Sequence, residues 1–218
     1  MIERCIAIGL CLSVIACSRE QSSAVRSSGM GIDAYGHTRM SEMRDDTTPE
    51  QKAHLLRLLS DLRTSLPKYR DIKQAIADGY RPEGRDVPVG ALKHFVNYAN
   101  LRANWQHLDP QKPMALLYRR EPNGYKLAGV MFTAPIASDM DALDDRIPLM
   151  YGHWHSHRNV CQLKSRGPMT PKESRSFGFS GSINTKNACD AAGGVFLDNV
   201  FGWMVHVYPF ENDLAKAF

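Results

Sequence analysis

Two hydrophobic periods divide the chain into a helical first part and a strand-rich second part. A stripe at helical spacing follows the segment Thr48 to Gln51, which has the Thr-Pro-x-Gln form of a capping box. The stripe consists of Leu55, Leu58, Leu59 and Leu62. A second short helix is predicted over 69–77, with Gly79 as its stop. These two helices are predicted to pack through their apolar faces.

The second part of the chain has the pattern of antiparallel strands. Apolar runs at 114–118 and 125–133 flank Asn123-Gly124, a strong hairpin signal. Strands are also predicted over 147–157 and 200–208, loops over 81–90 and 135–145, and short helices after Thr170 and over 185–192. This order predicts an α+β fold, in which N-terminal helices pack on a largely antiparallel sheet.

Three of the eight histidines fall at alternate positions in the stretch YGHWHSHRNVC, residues 151–161. On a strand, His153, His155 and His157 would share one face, with neighbours about 6.5–7 Å apart. Two imidazoles at that spacing can converge on one metal ion, whereas the outer pair is too widely separated. His153 and His155 are the predicted ligands, because His157 lies nearer the end of the strand.

Two more histidines lie in apolar surroundings. His206 is in FGWMVHVYPF, on the predicted face of Met204 and Tyr208, and His94 is in ALKHFVNY. An unpartnered imidazole there would cost free energy, so both are predicted to complete the site. Imidazole ligands favour zinc or copper. The competing interpretation is a polar strand face with ordinary hydrogen bonds. His37 and His54 are predicted to be solvated.

Composition and charge narrow the function classes. The chain has 218 residues, 43% hydrophobic, and a net charge of +4 carried by scattered basic side chains. This composition suits one globular domain and gives no footprint for nucleic-acid binding. The acidic residues near Asp139 do not have EF-hand spacing, and a solvated loop is predicted there instead. The chain also lacks a P-loop and a nucleophile elbow.

The N-terminus has the pattern of an export signal. The apolar run 5–16 is twelve residues long, which is too short to span a bilayer but typical of a signal peptide. Its end, VIAC, resembles the lipobox of bacterial lipoproteins. The resemblance implies a signal peptide over 1–16 and acylation of Cys17, including a palmitate-type chain. A tether over 17–47 and a domain over 48–218 would then follow, and Ser18 implies an outer-membrane lipoprotein facing the periplasm or cell exterior.

The predicted processing would leave two cysteines in the folded domain. Cys5 and Cys11 would leave with the signal peptide and Cys17 would carry lipid, so Cys161 and Cys189 remain. In an oxidising compartment this pair is predicted to form a disulfide. Cys161 and His157 are kept as secondary candidates for the metal site, since a thiolate would suit zinc or copper.

The phrases HWHSHRNVC and FGWMVHVYPFE, with KHFVN upstream, resemble an uncharacterised family of secreted bacterial proteins over about residues 90–211. That resemblance implies a shared fold and site but no reaction. The His-x-His pair is similar to that of cupins, but no acidic residue follows before Lys172, so a cupin is not predicted.

Three classes of function stay open: a metal-binding lipoprotein, a metal-dependent enzyme in which Glu173, Tyr208 or His157 transfers protons, and an interaction lipoprotein without metal. A membrane contact through the lipid is the one partner predicted.

Overall fold

A computed structural model describes residues 35–165 and 167–218 of the chain, within the compact unit Asp33–Phe218. The strands are β1 (Thr38–Met40), β2 (Arg81–Pro82), β3 (Leu92–Val96), β4 (Ala115–Glu121), β5 (Gly124–Ala134), β6 (His155–Gln162) and β7 (Val195–Val207). The helices are α1 (Pro49–Ser65), α2 (Ile72–Ala77), α3 (Leu101–Gln106), α4 (Met140–Arg146), α5 (Pro171–Ser176), α6 (Lys186–Ala191) and α7 (Leu214–Ala217). Short 3-10 turns occupy Pro67–Arg70 and Tyr98–Asn100.

The strands form one antiparallel sheet in the order β1-β6-β7-β5-β4-β3-β2. The hairpin of β4 and β5 turns at Pro122 and Asn123, with Gly124 as the first residue of β5, and lies near the middle of the sheet. The α+β prediction is therefore confirmed. Two strands that are distant in sequence, β3 and β7, lie on either side of this hairpin.

Helix α1 begins where the capping box predicts. The side chain of Thr48 accepts a hydrogen bond from the backbone of Gln51 (3.1 Å), and the side chain of Gln51 accepts one from the backbone of Thr48 (2.9 Å). All four leucines of the predicted stripe are buried. Each such burial stabilises the fold by about 1.5–3 kcal/mol, so packing on the sheet holds the helix in place.

Side chains alternate between two faces of the sheet. One face joins α1 in the main core, to which the sheet contributes residues such as Phe95, Tyr118, Phe132, Trp203 and Val205. The other face carries a smaller set, named here the second core: Val96, Met114, Ala115, Leu117, Met131 and Met204. Because His94 alternates with Phe95, and His206 with Val205, both histidines lie on the face of the second core.

A glycine lets the sheet bend towards the second core. A Cβ at Gly129 of β5 would lie 2.2 Å from the carbonyl oxygen of Val207 and 3.1 Å from the ring of Tyr208. Real Cβ atoms do not approach a backbone so closely, so this contact requires glycine. The pairing of β4 with β5 is also irregular here, because Leu117 is opposite Gly129 and Tyr118 is opposite Leu127, which leaves Ala128 as an extra residue of β5. Irregular pairing of this kind increases local twist and bending.

A wide irregularity interrupts the pairing of β6 with β7. His155 pairs with Met204 and His157 with Val200, so β7 carries extra residues opposite Ser156. Within them, Phe201 and Gly202 have φ values of 62° and 82°. A Cβ at Gly202 would lie 2.4 Å from the carbonyl oxygen of Ala134. The bulge therefore holds β7 close to β5 just before the segment that carries Met204 and His206.

Several predicted elements differ from the structure. The loop predicted over 81–90 contains β2, the strand predicted over 200–208 begins at Val195, and the helix predicted over 69–77 is a 3-10 turn followed by α2. Residues 147–154 were predicted as strand, but β6 begins only at His155, because the backbone of Gly152 donates to the carbonyl of Pro148 (2.7 Å) in a turn. The acidic segment 135–145 was predicted as a loop, yet it contains most of α4, whose N-terminus is capped by Asp139. Asp144 accepts hydrogen bonds from the backbone of Leu149 and from Arg44, so this carboxylate is structural.

The predicted start of the domain at residue 48 is wrong. Strand β1 pairs with β6, with Thr38 opposite His157 and Met40 opposite His155. His37, predicted to be solvated, is fully buried, and its ring nitrogen lies 2.8 Å from the carbonyl oxygen of Gly181. The segment before α1 therefore belongs to the folded domain and extends the sheet beside the histidine strand.

Cys161 and Cys189 form the predicted disulfide and are both fully buried. The bond links positions 28 residues apart, a loop for which constraint of the unfolded chain stabilises the fold by about 3–4 kcal/mol. Because its sulfur is bonded to Cys189, Cys161 is not a metal ligand, and that secondary prediction is wrong. A Cβ at Gly194 would lie 2.4 Å from the Cys161 sulfur, so a glycine is needed beside the bond.

The predicted signal peptide, Cys17 and most of the predicted tether lie outside the described residues. Within the part of the chain that the structure describes, none of the helices is both long enough and apolar enough to cross a membrane.

The close contact at Gly129 leads to a test of the sheet's bend. Gly129→Ala is expected to destabilise the protein by about 1–3 kcal/mol, because a methyl group forced against the Val207 carbonyl overpacks the site. Urea unfolding followed by circular dichroism measures this change. Gly167→Ala is the matched control, since a Cβ there meets nothing within 4 Å. Equal unfolding midpoints for the two variants would contradict the requirement for glycine.

Candidate functional site

Four imidazole rings lie side by side on the face of the second core. The ring centre of His206 on β7 is 5.1 Å from that of His155 on β6 and 5.2 Å from that of His94 on β3. The ring of His157 lies 5.4 Å from that of His155. His206 is thus the central member, with the rings of two other strands on either side.

Local alternation explains why His155 belongs to this group. The neighbouring Trp154 is fully buried in the main core, where its indole N–H donates to the carbonyl oxygen of Ile147 (3.2 Å). Since adjacent side chains on an extended backbone point to opposite faces, His155 is directed to the second core. It is 3% exposed, whereas His94 and His206 are half-buried.

The nitrogens of His94 and His206 meet directly. Their Nε2 atoms lie 3.1 Å apart. Two nitrogens bound to one tetrahedral ion at about 2.0–2.1 Å would be about 3.3–3.4 Å apart, with ring centres about 5 Å apart. The spacing of these two rings is therefore close to that of two ligands sharing an ion. It equally suits one N–H···N hydrogen bond between neutral imidazoles.

The orientation of His155 is set by its own neighbour in sequence. Its Nδ1 lies 3.2 Å from the backbone carbonyl oxygen of His153. A carbonyl only accepts, so Nδ1 carries the proton and Nε2 presents a lone pair. A backbone carbonyl that fixes the tautomer in this way is the usual support of a metal-binding histidine.

Burial keeps the three rings neutral. Removal from water, together with smaller effects of nearby His155 and Lys93, lowers the pKa of His94 to about 4. Burial likewise lowers the pKa of His155, and lowers that of His206 well below its ordinary value, with neighbouring histidines adding to the effect. Near neutral pH all three rings therefore offer unprotonated nitrogens, the form in which imidazole binds metals.

Tyr208 lies at the edge of the group. Its hydroxyl oxygen is 3.5 Å from Nδ1 of His206, and burial raises the pKa of the phenol. The phenol therefore stays protonated and can orient the imidazole. Tyr208 was one of three residues considered for proton transfer, and it is the one that contacts His206.

The other predicted site residues are distributed as follows. His153 precedes β6, is half-buried, and contributes its carbonyl to His155. His157 stacks on Phe179, with ring centres 4.5 Å apart, and its Nδ1 lies 3.3 Å from the Thr38 hydroxyl. Glu173 closes the capping box of α5 through Thr170, so its carboxylate serves the helix terminus. The imidazole that packs beside that of His155 on the same strand is thus His157, whereas the sequence predicted His153.

The described residues hold no ready-made metal centre. Among residues 35–165 and 167–218, no three or more His, Cys, Asp or Glu side chains are arranged to coordinate one ion together. The imidazoles of His94 and His206 are close enough to share an ion. The ring centre of His155 lies 5.1 Å from that of His206. Completing a three-histidine site would require the imidazole of His155 to reorient towards the other two rings.

Two methionines lie on the same face of the sheet as the rings. Cα pairing sets Met204 opposite His155 and Met131 opposite His206, on the face of the second core. The alternation along β7 indicated that Met204 shares the face of His206. Nothing in the sequence indicated the register that brings Met131 beside them.

Comparison of the chain with protein-family models, with curated proteins and with solved structures finds no match.

The lowered pKa values generate a test of stability against pH. In the unfolded chain the imidazole of His94 takes up a proton near pH 6.5, whereas in the folded protein it does so only near pH 4. The contribution of such a histidine to the free energy of unfolding is therefore fully present above pH 6.5. It is lost as the pH drops towards 4, by at most about 1.4 kcal/mol per pH unit for each such histidine. Urea unfolding in the presence of a chelator, from pH 7.5 to 4.5, measures this loss.

The matched comparison is His94→Gln, which removes one of these titrating groups. The variant is expected to lose less stability than the wild type between pH 6.5 and 4.5, because glutamine does not protonate. Carboxylates such as Asp78 and Glu173, whose pKa values are lowered, affect both proteins alike. Parallel curves for the two proteins would show that His94 is not held neutral by the fold.

Proposed function

We propose that the protein is a lipid-anchored, extracytoplasmic protein that binds one transition-metal ion, zinc or copper, through His94, His155 and His206. The observation that carries the proposal is the convergence of imidazoles from three strands, with one Nε2–Nε2 distance of 3.1 Å. A bound ion would hold the three rings together and use the lone pairs that burial keeps free. The role that suits such a site is holding or delivering the ion.

The electrostatics support a cation between the rings. The Nε2 atoms of His94 and His206 face each other at 3.1 Å, and between neutral rings at least one of these two nitrogens carries a lone pair. Imidazole is the commonest protein ligand for zinc and copper. The carbonyl of His153 and the hydroxyl of Tyr208 then act as the outer partners that fix the ligand rings.

Metal content tests the proposal. The full chain, purified in detergent without a polyhistidine tag, is expected to hold about one zinc or copper ion by elemental mass spectrometry, or to take one up after mild chelation and reloading. His155→Ala and His206→Ala are each expected to lower the affinity at least tenfold, since loss of even an outer partner costs about 10–100-fold.

His54→Ala is the matched control, because His54 lies on α1, which packs on the opposite face of the sheet. It is expected to leave metal content unchanged. An equal loss in all three variants, or no uptake of either metal by the wild type, would remove the metal-binding proposal. The histidines would then form a hydrogen-bonded polar face.

The lipid anchor rests on the lipobox-like VIAC segment and has its own test. Bacteria expressing the protein are expected to attach labelled fatty acid to the wild type and not to Cys17→Ser, which should accumulate as an unprocessed precursor. Cys11→Ser is the control, since Cys11 would be removed with the signal peptide. Equal labelling of the wild type and Cys17→Ser would contradict acylation at this cysteine.

A further inference from the structure

Methionine is concentrated on the sheet face that carries the histidines. Three of the six members of the second core are Met114, Met131 and Met204, and all three are at most 3% exposed. Two of them are cross-strand partners of the histidines: Met204 of His155, and Met131 of His206. The face of the sheet that carries the imidazoles is therefore also rich in thioether sulfur.

Met204 occupies the central place in this arrangement. Directly opposed residues on neighbouring strands have Cβ atoms about 4.5–5.5 Å apart, which sets its side chain against that of His155. It also precedes His206 by two residues on β7, so both side chains lie on the same face. One long, flexible side chain is thus within reach of two of the three imidazoles.

Imidazole nitrogens and a thioether sulfur together favour monovalent copper. Thioether sulfur is a soft ligand that selects monovalent copper, whereas zinc in proteins is bound by nitrogen, thiolate and carboxylate. Charge leads to the same choice. Three neutral imidazoles and a neutral thioether supply no negative charge, and the cost of burying an ion grows with the square of its charge. A monovalent ion is therefore less costly to hold here than a divalent one.

We propose that the site binds cuprous copper, with the Met204 thioether as a ligand beside the imidazoles of His94, His155 and His206. This inference rests on the proposed metal-binding function and specifies its ion. Met131, paired with His206, lines the same side of the site. Burial of the thioethers on this face of the sheet would also shield the bound ion from water and thus from oxidation.

The alternative role of Met204 is packing alone. Methionine fills irregular gaps in cores, and exchange for leucine keeps the volume at a cost usually below about 1.5 kcal/mol. Met204→Leu therefore removes the sulfur while the second core stays filled. Met140→Leu is the matched control, because Met140 packs against the main core on the other side of the sheet.

The experiment measures the affinity of the full chain for Cu(I) by competition with a Cu(I)-specific chelator without oxygen, and for Zn²⁺ by competition with a zinc chelator. The wild type is expected to bind Cu(I) more tightly than Zn²⁺. Met204→Leu is expected to weaken Cu(I) binding about tenfold or more while changing zinc affinity little, since the soft ligand alone is lost. X-ray absorption at the copper edge should show a sulfur neighbour in the wild type and in Met140→Leu, but not in Met204→Leu.

Three other results would overturn the inference in distinguishable ways. Tight Zn²⁺ binding with no preference for Cu(I), unchanged in Met204→Leu, would refute the cuprous site and leave the histidine site in place. Binding of neither ion would refute the cuprous site together with the proposed metal-binding function. Loss of both affinities in Met204→Leu, without sulfur at the copper edge of the wild type, would assign Met204 to packing.

Discussion

The candidate site depends above all on the bend of the antiparallel sheet between β3 and β7. In a flat sheet these strands, separated by two others, would lie about 14 Å apart, and side chains standing perpendicular to it would not meet. The Nε2 atoms of His94 and His206 are nonetheless 3.1 Å apart. Close backbone approach at Gly129 and the bulge at Phe201 and Gly202 allow the sheet to curl towards the second core. Without that curl, His94 would face solvent three strands away from its partner.

The rest of the fold supports the strand that brings in His155. The indole of Trp154 is fixed in the main core, β1 pairs along the outer edge of β6, and the Cys161–Cys189 disulfide ties its far end to α6. These three contacts act on different faces and ends of one strand. They make β6 a rigid support, and a binding group held by rigid elements keeps its geometry better than one carried by loops.

The same curl creates the electrostatic character of the site. Bringing three imidazoles onto an apolar, methionine-rich surface removes them from water and holds them neutral, and neighbouring rings further disfavour charge on His94 and His206. Groups with strongly shifted pKa values that lie together are where binding and chemistry tend to occur. Here the arrangement offers nitrogen and sulfur lone pairs and little negative charge, which is the physical basis for assigning it to a soft, weakly charged cation.

Local chemistry in the sequence determined the helix caps at Thr48 and Thr170, the Asn-Gly hairpin, the α+β class, the cysteine pair, and the faces of Trp154 and His206. Each of these depends on neighbours within a few residues or on residue count. Tertiary structure alone decided that β1 joins the sheet, that α4 replaces the acidic loop, that β6 starts at His155, and that His157 is the ring neighbour of His155. It also decided the register that sets Met131 opposite His206 and Met204 opposite His155. These outcomes follow from strand register, bulges and close glycine contacts, which depend on how distant segments pair and leave no periodic signal along the chain.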